Sequence, residues 1–159
     1  MTALKLGRLD VTLDRSRVTL SGRIDDGSQL GDLATKIPPG DVTIDTSGVT
    51  FVNSIGMREW MRLIRILRDR GRVTLERVAD VLITQMNLIP EFGASVTIAS
   101  FHAQYVCASC GAEVAPVVDA VAHAAQLANM QAPKLPCPEC GAMMELGDFP
   151  ERYLTIFQK

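Results

Sequence analysis

The sequence lacks any run of about 18 uncharged apolar residues, so a membrane-spanning helix is not expected; its most apolar stretch, 114–130, is interrupted by Asp119, His123 and Gln126. Neither charge sign dominates. Across 159 residues, 16 Lys+Arg face 18 Asp+Glu for a net charge of −2, which excludes a supercharged chain or tail. Aromatic residues make up only 5%, with one tryptophan, yet 47% of the chain is apolar and 21% charged, the balance of a globular protein. No basic start, apolar block and small-residue cleavage site opens the chain, so the cytoplasm is the expected compartment. There is no phosphate-cradling glycine loop, no G-x-S-x-G and no paired-carboxylate arrangement, so no enzyme activity is expected.

Cysteine is absent except in two hooks, Cys107-Ala-Ser-Cys110-Gly111 and Cys137-Pro-Glu-Cys140-Gly141. In such a hook the backbone bends both sulfurs toward one centre, and the glycine allows a left-handed turn. Two hooks complete a tetrahedron with no open coordination position, which points to one structural Zn²⁺ per chain. A rubredoxin-like redox iron is the alternative, although the aromatics that pack such a site are scarce; a thiol-disulfide enzyme would need one hook, not two. Charge divides near the same place. Residues 1–106 carry 13 basic and 12 acidic side chains, and residues 107–159 carry three and six. Two modules are expected, 1–105 and a zinc-ribbon module over 106–159.

Apolar alternation over 4–13 and 17–24, separated by Asp14-Arg15-Ser16, predicts an antiparallel hairpin. A short helix follows at Leu30, Leu33, Ala34 and Ile37, stopped by Pro38-Pro39-Gly40. A third strand is expected over 42–45, resuming over 49–52. The clearest helix spans 55–70, with Met57, Trp60, Met61, Ile64 and Leu67 on one face and Arg58, Arg62 and Arg65 opposite; Gly71 ends it. A fourth strand over 72–78, a third helix over 79–89 and a fifth strand over 96–105 complete the order β-β-α-β-α-β-α-β, an α/β fold with a mixed sheet and a helical layer.

Two stretches, Val18-Thr19-Leu20-Ser21-Gly22-Arg23-Ile24-Asp25 and the run from Val42-Thr43-Ile44-Asp45 through Phe51-Val52-Asn53-Ser54-Ile55-Gly56-Met57, resemble the STAS domain of bacterial anti-sigma-factor antagonists. The likeness covers about residues 4–106. It implies a small α/β regulatory module that binds protein partners, such as an anti-sigma-factor-like kinase or another signalling protein, through the end of the third strand and the start of the second helix. On this chain those positions are Asn53, Ser54, Ile55, Met57 and Arg58. The family usually carries Asp-Ser-Ser or Asp-Ser-Thr before the glycine, and a partner kinase phosphorylates the hydroxyl residue next to it. Here Ile55 occupies that position and has no oxygen to modify, so binding without a serine-phosphorylation switch is expected. Ser54 is expected to cap the helix by accepting from the N–H of Gly56 or Met57.

In the second module an alanine-rich helix is expected over 115–131, with Val117, Val121, Ala124 and Ala128 on one stripe that packs inward or supports a homodimer or partner contact. A strand is expected over 152–157. The arginines at 58, 62, 65, 68, 70 and 72 raise nucleic-acid or transcription-machinery binding beside a ribbon as the alternative function. Interleaved Glu59, Asp69 and Glu76 and the net negative charge argue against a phosphate-tracking surface. Trp60 is expected in the core; His102 and His123 are expected as packed or surface residues, not as ligands.

Overall fold

The computed structural model describes residues 1–158, the side chains of residues 90, 91 and 94 excepted. The chain opens with three antiparallel strands, β1 (Thr2–Leu6), β2 (Leu9–Asp14) and β3 (Arg17–Ile24). The alternation over 4–13 is therefore two strands, not one. Gly7 breaks it at φ 62°, where an added Cβ would lie 2.6 Å from the Gly27 carbonyl oxygen. Leu9, Val11, Leu13, Val18 and Leu20 turn inward, while Asp10 and Asp14 stay exposed.

Parallel strands continue the sheet: β4 (Val42–Val52), β5 (Val73–Glu76) and β6 (Thr97–Ile98), giving the order β1-β2-β3-β4-β5-β6. β4 is one strand where two pieces were expected. Its irregular centre is absorbed by register shifts against β3 between Thr19 and Ser21 and between Gly22 and Arg23. The crossovers carry a 3-10 segment (Leu30–Lys36), α1 (Ser54–Arg68) and α2 (Asp80–Met86), the last followed by a second 3-10 segment (Pro90–Ser95). Right-handed connections between neighbouring parallel strands put these on one face of the sheet. There Leu33, Trp60, Leu63, Ile64, Leu67, Leu82 and Ile83 share one buried cluster with Leu20, Ile44 and Leu75. Trp60 is fully buried, as its place on the apolar face of α1 leads one to expect.

Three expectations past residue 95 are corrected. The strand expected over 96–105 is three short strands in three sheets: β6, β7 (Ser100–His102) and β8 (Tyr105–Val106). The chain leaves β6 because Val78 bridges to Phe101, donating its N–H to Ser100 and accepting from His102. The helix expected over 115–131 is instead β10 (Val117–Asp119), which pairs with β7, followed by the five-residue α3 (Ala124–Ala128). Pro116 brings no N–H, Val117 and Val118 are β-branched, and the Asp119 carboxylate accepts from the N–H of Val121 and Ala122, so ladder and turn bonds outweigh alanine's helix preference. The strand expected over 152–157 is α4 (Pro150–Leu154) and a 3-10 turn (Thr155–Phe157). Pro150 opens that helix at a position needing no N–H, and Arg152 pairs with Asp148 at 2.8 Å.

The remaining strands are β9 (Glu113–Val114), β11 (Leu135–Pro136) and β12 (Met143–Leu146), arranged with β8 as β11-β12-β8-β9, antiparallel throughout. The chain then returns to α2 and β7. Asn87, at the end of α2, donates to the carbonyls of Ile83 and Tyr153 and accepts from the N–H of Ile156, while the rings of Phe101 and Phe157 lie 5.2 Å apart.

Candidate metal centre and partner surface

Each cysteine hook is the tip of a β-hairpin, the first joining β8 to β9 and the second joining β11 to β12, and the β8–β12 pairing brings the tips together. The hooks repeat one another bond for bond. The Cys107 N–H donates to the Ala112 carbonyl and the Gly111 N–H to the Cys107 carbonyl; Cys137, Ala142 and Gly141 make the same pair. Gly111 and Gly141 sit at φ 78° and 80°, where a side chain would be strained. In each hook the first cysteine is buried and the second exposed.

The four sulfurs all lie within 4.8 Å of one another, with Cys107 and Cys140 3.5 Å apart and Cys110 and Cys137 3.6 Å apart. A tetrahedron with metal–sulfur bonds of about 2.3 Å has edges of about 3.8 Å, so the donor set fits a four-thiolate ion site. At one of the four sulfurs the protein favours the thiolate. Backbone donation from Cys110, assisted by Cys140 and Ser109, outweighs desolvation and brings the Cys107 thiol down to about 7. At Cys110 the Ala112 N–H favours the thiolate, but desolvation and the neighbouring sulfurs prevail and push it up to about 12. Behind the hooks Tyr105 is buried with its hydroxyl donating to the Pro133 carbonyl at 2.7 Å, and burial pushes that phenol up to about 12. His102 and His123 lie outside the sulfur cluster; a ring nitrogen of His102 is 2.7 Å from the Ala115 carbonyl.

In the six-stranded sheet, β4 delivers the chain to the start of α1. The cap there is Asn53, not Ser54: the Asn53 side-chain oxygen accepts from the Gly56 N–H at 2.7 Å, and Ser54 is already the first helical residue. An amide oxygen at that place is worth about 1 kcal/mol. α1 starts hard against the end of β3, since a Cβ on Gly56 would stand 2.0 Å from the Ile24 carbonyl oxygen. That contact fixes which side chains look outward. Ser54 and Arg58 are exposed, Ile55 is 47% exposed, Asn53 is half-buried, and Met57 is buried at 6%.

The arginines do not act as one stripe. Arg62 pairs with Glu59 at 3.5 Å and reaches Asp32 at 4.0 Å, and Arg70 donates to the Ala34 carbonyl at 2.7 Å. Arg58, Arg65 and Arg68 face a groove beside α1, where Met61, Ile89 and Phe92 also stand. The sequence reading missed this second wall because Ile89 and Phe92 reach α1 only through the turn after α2; the spacing of Arg58, Arg65 and Arg68 at seven and three residues was its one local sign. No protein-family model matches the chain, and no curated protein matches it.

Proposed function

We propose that the protein is a non-enzymatic, STAS-like interaction module, anti-sigma-factor-antagonist-like but without the usual phosphoacceptor, that carries a structural zinc ribbon and binds a signalling partner through Asn53, Ser54, Ile55 and Arg58, with the buried Met57 supporting that turn from beneath. The observation that carries this reading is the large apolar Ile55, left 47% exposed in the first turn of a helix whose start is locked against β3. An isoleucine held there at rigid geometry favours contact with a partner. Four thiolates at tetrahedral spacing, with no water-accessible coordination position required, favour zinc in a structural role.

Affinity capture from native cells with wild type and Ile55→Glu tests the surface. The variant is expected to fold normally and lose the captured partner, because a carboxylate replaces the apolar contact. Equal capture by both proteins would overturn the reading. Metal analysis is expected to give one zinc and a colourless protein, whereas strong visible absorbance would assign the sulfurs to iron.

A further inference from the structure

We infer that the groove between α1 and Gln85, Ile89, Phe92 and Ser95 is the seat of an acidic amphipathic helix from a partner protein. This rests on the interaction-module reading above and extends it along α1 from the turn at Ser54. The floor is apolar: Met61 and Ile89 line its whole length, and Ile64 and Phe92 close the far end. The rim is cationic. Arg58, Arg65 and Arg68 are all exposed along one side of α1, and among the described residues none of the three pairs with a carboxylate, in contrast to Arg62. α1 carries four arginines against one glutamate in a protein whose net charge is −2, so positive charge is concentrated where the apolar floor lies. A partner matching this surface presents apolar residues on one stripe and carboxylates on both flanks.

The backbone of the walls decides the partner's conformation. Past its first turn α1 spends its N–H and C=O groups internally, and among the described residues no strand edge lines the groove, so an extended peptide would find no ladder to join. A helix satisfies its own backbone and offers apolar anchors at i, i+4 and i+7. Fifteen residues of α1 at about 1.5 Å each provide about 22 Å of wall, matching a helix of about four turns.

The test is selection from a displayed library of 16-residue helical peptides against the intact zinc-loaded protein. Acidic sequences with apolar residues at the spacing above are expected, shifting the NMR signals of Met61, Ile89 and Phe92, and Arg65→Glu with Arg68→Glu is expected to weaken them at least tenfold. Neutral Arg65→Gln is expected to weaken them less, and circular dichroism checks that each variant is folded. Selection of neutral or basic peptides, of none, or of peptides that map elsewhere would overturn the inference. So would tighter binding of phosphatidylserine vesicles or of a 20-nucleotide DNA, or a dimer of this chain that Arg65→Glu dissolves. Partner capture separates the two readings: loss with Ile55→Glu but not with Arg65→Glu and Arg68→Glu would sink the groove and leave the turn surface standing.

Discussion

Asp45, only 2% exposed on β4, is held by one neighbouring N–H and two arginines distant in sequence. Its carboxylate accepts from the Ser47 N–H at 2.9 Å and from Arg77, and the Arg17 guanidinium stands 3.5 Å away. Desolvation works to raise its proton affinity, but the Ser47 and Arg77 donors outweigh it and hold the carboxyl below the usual aspartate value. Since the folded value is depressed, the stabilisation is complete above about pH 4, where an unfolded aspartate is ionised, and is lost as pH falls through the folded value. Asp45→Asn is therefore expected to cost about 1.5–3 kcal/mol at pH 7, with the gap to wild type closing in acid; urea melts at pH 7 and pH 3 measure both. Nothing local in the sequence announces this residue, because Arg17 and Arg77 reach it only once β3, β4 and β5 are aligned. The cysteine centre was legible for the opposite reason. A Cys-x-x-Cys-Gly hook writes its geometry within five residues, and only the meeting of two hooks needs the rest of the fold.

Among the elements, those with a strong period and a local stop were readable: the β2–β3 hairpin, α1 with its buried Trp60 and Leu63, and the parallel crossovers. The misreadings fall where two structures compete for one stretch. Alanine-rich 115–131 favours a helix residue by residue, but β7 offers Val117 and Val118 a ladder partner that no window of the sequence contains. Likewise, the apolar residues of 152–157, expected as a strand, say nothing of Asn87, which holds that segment from 66 and 69 residues away. Asn87 is 5% exposed and bonds three backbone groups, so Asn87→Ala leaves a buried carbonyl at Tyr153 and a part-buried N–H at Ile156 without their partner. The expected loss is about 1–3 kcal/mol. Hydrogen exchange should place the new openings in α4 and the following turn, with metal content unchanged; loss of the metal in this variant would mean that the return segment, not the hooks, holds the four-stranded sheet together.

For the whole molecule, the unequal support of its two ends predicts how it comes apart. One buried cluster runs through the described residues; β1 to β5 and α1 supply a large share of it, including Trp60, Leu63, Ile44 and Leu75, and it reaches Cys107 and Cys137 at its margin. The ribbon strands are two to four residues long, and a two-stranded hairpin of that size is marginal in water. Their buried support is small, chiefly Tyr105, Leu127 and Met144, whereas zinc bound by such peptides contributes about 10–16 kcal/mol at neutral pH. Chelation, or Cys137→Ser, is therefore expected to remove amide protection from residues 105–114 and 135–146 while residues 4–100 remain folded. α4 and the turn after it should remain folded as well, because their anchors are Asn87 and Phe101, outside the hooks. Hydrogen exchange on the wild type before and after chelation reads all three regions in one experiment. Uniform loss of protection would show that the ion stabilises the whole chain as one cooperative unit and that no boundary near residue 105 separates two modules. Restored protection on adding zinc back would tie the change to the metal itself, since only bound ion, and not an altered side chain, differs between the two states.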